Sequence, residues 1–373
     1  MGSALPLQFP GRIVKDTVKP SFREMGLDGI LTRAEKGEEL SGDEVRGLLS
    51  IQEKEEGEAL LSAARRVRAR TTGGRVFLYG FVYLSTHCRN DCHFCYFRRS
   101  NPDPVRYRKN RSQVVEAASR LAASGVHLLD LTMGEDPFFL AEEDLESLAD
   151  LVAAVKEATG LPIMVSPGQV GERALAVLKS AGASWYACYQ ETHNRALFNT
   201  IRPDQDFDAR MEGKRLARKH GLLREEGILL GVGESPADIV HSLEVMGMHD
   251  FHQVRAMSFV PQTGTPFSDR PSGDSWEELK VLAVMRLLFP DRLIPASLDV
   301  AGLAGLRDRL NAGANVITSL VPPGEGWAGV AQSRLDIEEG RRTAESVEPV
   351  LASCGLVAAT TGEYKEWVSR RMA

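Results

Sequence analysis

The sequence has no uncharged apolar run near the roughly 18 residues that a membrane-spanning helix needs. It also lacks a basic excess: 45 Lys and Arg stand against 51 Asp and Glu, a formal net charge of −6. That balance argues against nucleic acid or an anionic membrane as the main partner. Met1 to Gly11 shows neither the basic nor the apolar stretch of a secretory signal. Only 5 cysteines occur among 373 residues, and three of them fall within one short stretch. Such crowding makes a poor disulfide framework and a good metal or cluster site. A secreted disulfide scaffold, a membrane protein and a basic nucleic-acid binder are thereby excluded. With 43% hydrophobic and 26% charged residues the chain is an ordinary core former. A cytoplasmic enzyme is the expectation.

Along the chain, residues 1–20 are weakly patterned and read as a surface arm. Residues 21–72 read as helical. Ser41 to Glu44 has the spacing of a capping box, with a helical stripe of Val45, Leu48, Leu49 and Ile51 behind it. A second helix, about Gly57–Ala69, stops at Gly73-Gly74. These helices are expected to pack on the following domain near the cysteines, or to plug one of its ends.

From Arg75 the pattern changes. β-Branched apolar runs at Val76–Ser85, His127–Met133, Leu161–Ser166, Ser184–Glu191, Glu226–Val232, His252–Val260, Leu293–Asp299 and Asn315–Val321 read as strands. Helical patterns lie between them, about Ser112–Ser124, Glu142–Ala158, Glu172–Ala181, Asp208–His220, Pro236–Met248, Ser275–Phe289 and Ala304–Asn311, and Ile337–Ser353 closes the series. Eight strands alternating with eight helices predict an α/β fold, a complete (β/α)8 TIM-type barrel with an N-terminal helical extension. An open doubly wound sheet is the alternative. The division is 1–74 for the arm and helical extension, 75–355 for the barrel and 356–373 for a C-terminal tail. Chemistry in a barrel belongs at the carboxyl ends of the strands, and the unusual residues cluster there.

Directly after the first strand comes Cys88-Arg-Asn-Asp-Cys92-His-Phe-Cys95. Three thiolates on one tight loop can hold three irons of a cubane and leave the fourth open. Zinc, with His87 or His93 as fourth ligand, is the other reading. The spacing, with Phe94 before the third cysteine, resembles the signature of the radical S-adenosylmethionine (SAM) superfamily. Met133-Gly134-Glu135 after the second strand and Gly227-Ile-Leu-Leu-Gly231-Val-Gly233-Glu234 at the fifth resemble that family's SAM-contacting segments. The stretches Tyr83–Cys88, Asp130–Pro137, Leu161–Gly168, Tyr189–Thr192 and Leu293–Asp299 are similar to the family of 3-methylornithine synthases, grouped with biotin synthase and the hydrogenase maturases.

That resemblance implies a [4Fe-4S] cluster on Cys88, Cys92 and Cys95 and SAM as cofactor. It implies isomerisation of L-lysine to (3R)-3-methyl-D-ornithine, the opening step of pyrrolysine biosynthesis. A 5′-deoxyadenosyl radical would start it, and fragmentation into a glycyl radical and an aminobutene would follow. A maturase-like radical lyase acting on another amino acid is the alternative, and a zinc- or cluster-stabilised binding protein is the non-enzymatic one. An electron donor such as ferredoxin or flavodoxin and an anaerobic cytoplasm are implied as well. For SAM, the resemblance assigns Gly134, Glu135, Glu191 and Arg210, with Ser166 toward the ribose and the backbone of Tyr96 toward adenine.

The residues themselves meet the demands of such a substrate. Lysine carries two ammonium groups and a carboxylate, and burying each costs several kcal/mol unless it meets a partner. Asp130 interrupts an apolar run in the second strand, and Arg255 one in the sixth. Ser297 and Asp299, two apart in the seventh strand, would share one face. The resemblance gives Arg255 and Ser297 to the α-carboxylate, Asp299 to the α-ammonium and Asp130 to the side-chain ammonium. A structural Asp130–Arg255 ion pair is the plainer alternative. Cys188 and Cys354 read as small buried hydrophobes.

Overall fold

The computed structural model describes residues 13–14, 22–141, 145–323 and 341–372. Eight parallel strands form the wall: β1 (Arg75–Ser85), β2 (Leu128–Met133), β3 (Ile163–Ser166), β4 (Trp185–Ala187), β5 (Leu223–Leu230), β6 (Gln253–Ser258), β7 (Pro295–Ser297) and β8 (Val316–Leu320). They pair in the order β6-β5-β4-β3-β2-β1-β8-β7. One bridge, Gln253 to Leu293, joins the two ends and completes the ring. The fold is therefore the expected eight-stranded barrel and not an open sheet. The expected helices are present within a few residues of their boundaries; Glu142–Asp144 and the start of the last one, Ile337–Gly340, lie outside the described residues. The fourth strand is shorter than expected, and Leu298–Ala301 is a short helix, not strand.

Alternation along the strands builds two interiors. Outward positions such as Leu129, Leu131, Ile163, Val165, Val254, Ala256 and Ile317 join the main core against the helices. Inward positions near the strand starts, Phe77, Tyr79, Leu128, Met164, Trp185, Leu223, Leu293 and Val316, form a separate apolar floor. Helix Thr361–Met372 seals that floor: Tyr364 and Val368 are buried in it and Trp367 stacks on Trp185 at 5.8 Å. The Tyr79 and Tyr364 hydroxyls meet at 2.8 Å.

The plug thus comes from the C-terminal segment and not from the N-terminal helices. Gly42–Leu49, whose Ser41–Glu44 capping box is formed, and Lys54–Thr72 pack on helix Ser275–Leu288. Lys280 on that helix is buried because its ammonium donates to the Leu49 and Ile51 carbonyls, at 2.8 and 3.0 Å.

Candidate active site

β1 ends at Ser85, and the loop beyond it carries Cys88, Cys92 and Cys95. Backbone bonds fix this loop: Arg89 N–H to the Glu135 carbonyl at 2.9 Å, His93 N–H to Ile201 at 2.9 Å and Arg99 N–H to Asn90 at 2.7 Å. Gly134 is demanded by closeness, since a Cβ there would lie 2.8 Å from both Cys88 Cβ and the His87 carbonyl. Burial, and then the neighbouring thiols, push Cys95 up to about 12, and Cys88 also rises. A bound cation would favour the thiolate forms of Cys88 and Cys95. Cys92 Sγ receives donors from Arg202 Nη1 at 3.3 Å and Gln205 Nε2 at 3.1 Å. A neutral thiol is a weak acceptor, so a guanidinium and an amide aimed at it suit a metal-bound thiolate. Among the described residues no group of three His, Cys, Asp or Glu converges on a single ion. A cubane asks for no such convergence, because each thiolate meets its own iron.

Beside the loop, Glu135 is buried. Its carboxylate accepts from Arg210 at 2.9 Å, from Gln169 N–H at 2.9 Å and from Arg89 at 3.0 Å. Burial would raise this carboxyl, but Arg210, the Gln169 amide and Arg89 outweigh it and hold it below the usual range. Gly168, at φ 81, gives Glu135 its room; a Cβ there would lie 2.2 Å from Glu135 Cγ. Arg210 sits on helix Phe207–Lys219, whose inward face also carries buried Lys214, paired with Glu226. Glu191 lies beyond β4 in the left-handed region, at φ 68, and its carboxylate takes Arg202 at 2.7 Å. The Tyr96 carbonyl accepts from Asn101 at 2.9 Å. The expected β5 segment closes on itself: Glu234 accepts the N–H groups of Gly231, Val232 and Gly233.

Above the apolar floor lies a cavity of about 90 Å³ lined by Phe81, Asp130, Thr132, Ser166, Tyr189, Arg255, Met257, Asp299, Thr318 and Ser319, among others. Asp130 and Arg255 do not pair. Arg255 is held by Glu225, which accepts its Nε–H at 2.7 Å and the Tyr189 hydroxyl at 3.0 Å. Among the described residues Asp130 receives only Ser166 Oγ, at 2.8 Å, and burial pushes its carboxyl up to about 7. Ser166 therefore faces Asp130 here. Ser297 ends β7 and caps the short helix in which Asp299 lies, so the two are not strand neighbours on one face. They nevertheless meet, Ser297 Oγ to Asp299 Oδ2 at 3.3 Å. Asp299 is also bound by Ser319 Oγ at 2.6 Å and by fully buried Arg342 at 2.9 Å.

Residues 82–246 match the model of the radical SAM superfamily. The chain is 42% identical over 347 residues to a 3-methylornithine synthase of Methanosarcina barkeri, covering 92% of this chain and 98% of that one. The chain belongs to the 3-methylornithine synthase family of radical SAM enzymes. A crystal structure of a methylornithine synthase superposes with a TM-score of 0.86 at 41% identity, over 91% of this chain and 99% of that one. The [FeFe] hydrogenase maturase subunit HydE of Thermotoga maritima is 30% identical over 77% of this chain and 82% of its own.

As a radical SAM enzyme the chain uses a [4Fe-4S] cluster and SAM. Among the described residues no helix is long and apolar enough to cross a membrane. The three cysteines, Gly134, Glu135 and Arg210 assemble at one end of the barrel; Asp130, Arg255 and Asp299 line the cavity, and Ser297 is hydrogen-bonded to Asp299. Sequence reading missed Arg202, Gln205, Glu225, Ser319 and Arg342. It also missed Asp136, buried beside Glu135, where it takes Arg108 at 2.7 and 2.9 Å and Ser85 at 2.5 Å. The alternating run Leu223, Glu225, Gly227 places Glu225 inward, and that was the available signal.

Proposed function

We propose that this family member isomerises L-lysine to (3R)-3-methyl-D-ornithine, with Asp130, Arg255, Ser297 and Asp299 as its substrate contacts. The observation that carries this reading is the charge inventory of the enclosed cavity. Asp130, Arg255 and Asp299 line it, Glu225 pairs with Arg255 and Arg342 with Asp299, so among the described residues three carboxylates stand against two guanidiniums. One negative charge is left over, the complement of lysine's single net positive charge. An amino acid without a second ammonium would leave Asp130 without a counter-ion.

When bound, the reduced cluster and SAM would supply radical chemistry for hydrogen abstraction from carbon. The protein's own residues bind, orient and confine. Cys88, Cys92 and Cys95 would hold the cluster; Gly134, Glu135, Glu191 and Arg210 would hold SAM, with Tyr96 beside them. Ser166 is better placed to orient Asp130 than to reach a ribose. β2 and β6 lie four strands apart in an eight-strand ring. Asp130 and Arg255 are thus on facing walls and take opposite ends of the amino acid. Arg255, oriented by Glu225, takes the α-carboxylate with Ser297. Asp299 takes the α-ammonium, and Ser319 and Arg342 fix its direction. Holding both charged ends keeps the two halves of a broken carbon chain in reach of each other. The substrate ammonium also decides the state of Asp130, because a cation beside a carboxyl favours its ionised form.

The resemblance further supports a ferredoxin- or flavodoxin-like electron donor and an anaerobic cytoplasmic setting. The test is anaerobic reconstitution with SAM, a strong reductant and L-lysine, followed by chromatographic separation of the amino acids. A new isomer with the mass of lysine is expected. Release of 5′-deoxyadenosine without that isomer would overturn lysine as the substrate.

A further inference from the structure

We propose that Arg202 and Gln205 set the reduction potential of the cluster on Cys88, Cys92 and Cys95, and that Arg202 couples this potential to SAM through Glu191. The inference rests on the cysteine assignment above and is independent of lysine as substrate.

The local sequence Arg202-Pro203-Asp204-Gln205 is a tight turn. Pro203 fills the second position, and Asp204 takes the left-handed third at φ 61. Gln205 N–H closes it on the Arg202 carbonyl at 3.4 Å. The turn caps helix Arg195–Ile201, whose Ile201 carbonyl takes His93 N–H, so turn and cysteine loop are pinned together. The first and fourth side chains of the turn both reach Cys92 Sγ. Their orientation is determined. Gln205 Oε1 accepts from Arg202 at 3.2 Å and from Arg210 at 3.3 Å, which leaves its NH2 for the sulfur. The Arg202 guanidinium lies 5.2 Å from the Phe94 ring centroid and is 9% exposed.

Reduction places one more electron, delivered by an external one-electron carrier, on a cluster whose charge is shared with its thiolates. Hydrogen bonds to a ligating sulfur stabilise the electron-rich reduced form and raise the potential. A charge-assisted donor is about twice as strong as a neutral one, and burial limits its screening by water. Arg202 is also the residue that spans two sites. One nitrogen serves Cys92, and the other serves Glu191 at 2.7 Å. A SAM donor group that engages Glu191 draws negative charge away from Arg202 and leaves more of its positive charge for the sulfur. SAM binding then makes the cluster easier to reduce, and by reciprocity reduction tightens SAM binding.

The test is a redox titration of anaerobically reconstituted protein followed by electron paramagnetic resonance, with and without SAM. Gln205→Ala is expected to move the midpoint to a more negative value. Arg202→Gln is expected to lower the reduced-to-oxidised ratio at a fixed potential at least tenfold, about 59 mV for one electron, and to abolish the SAM-induced rise. Midpoints equal to wild type in both variants would overturn the proposal, and so would an undiminished SAM-induced rise in Arg202→Gln. If Arg202→Gln does not retain iron, Gln205→Ala, altered in a partly exposed turn, decides alone. A wild-type protein that holds no iron and sulfide would sink the cysteine assignment and this proposal together; a missing lysine isomer beside normal midpoints would sink only the substrate.

Discussion

Two layers of one barrel, separated by a single two-residue step, behave as different materials. Leu128, Leu223 and Val316 belong to the floor; Asp130, Glu225 and Thr318, two residues further along the same strands, belong to the polar level of the cavity. The floor is apolar and filled by aromatic rings from helix Thr361–Met372, and its one described hydroxyl pair is satisfied. The cavity level holds charges whose burial is only partly compensated, Asp130 foremost. One layer stabilises the fold, and the other sacrifices stability for recognition.

That contrast can be broken from either side. Asp130→Asn has the largest expected effect. Removing one partner of a buried charge pair costs about 3–5 kcal/mol, so lysine turnover should fall at least about 100-fold. SAM affinity, read by equilibrium binding, should not change. The same variant should unfold no more easily than wild type at pH 8. Burial raises Asp130 above its unfolded value, so its contribution to stability is present at low pH and lost as pH rises toward about 7. A less stable Asn variant at pH 8 would erase the distinction. Tyr364→Ala should do the reverse: a loss of about 3–5 kcal/mol in unfolding free energy, with turnover per cluster-loaded molecule retained. A milder probe is pH. As pH drops below about 7, Asp130 takes a proton and competes with the ammonium, so the apparent KM for lysine should rise, approaching tenfold per unit, and this rise should vanish with Asp130→Asn. The smallest effect is Tyr79→Phe, about 1 kcal/mol from one lost hydroxyl bond, measured by denaturant unfolding.

The barrel was legible because strands buried on both faces read as apolar runs between helical periods, and the cysteine loop because three thiols at that spacing are rare. Asp130 and Arg255 stood out as charges inside apolar runs. Their partners did not. Glu225 lies one residue before the strand Glu226–Val232 as the sequence delimits it, among charges that are all buried, Arg224, Glu225 and Glu226. Arg342 lies far along the chain from Asp299, and no local period links them. Arg210 and Lys214 look like surface charges in a basic helix, yet they share the inward face one turn apart, while Arg215 remains exposed. Ser297 and Asp299 were read as strand neighbours because a capped helical turn and a strand end look alike over four residues. The N-terminal helices were visible, but which surface they cover depended on the Lys280 contacts, and no local pattern carries those.

Among the described residues the ring closes through one bridge, from Gln253 in β6 to Leu293 just before β7, low on the wall, where Leu293 N–H reaches His252 and Val254 N–H reaches Leu293. Above it, at the height of Arg255 and Ser297, no ladder is described between these two strands. The cylinder therefore has the mechanics of a split collar, fastened at the bottom and free to spread along one slit. The two edges of that slit carry the groups assigned to the substrate carboxylate. Among the described residues no backbone bond crosses the slit at that height, so parting its edges would break only side-chain contacts, a compliance suited to a guest that changes shape between entry and exit. Amide hydrogens facing the slit should be the first of the barrel wall to exchange with deuterium.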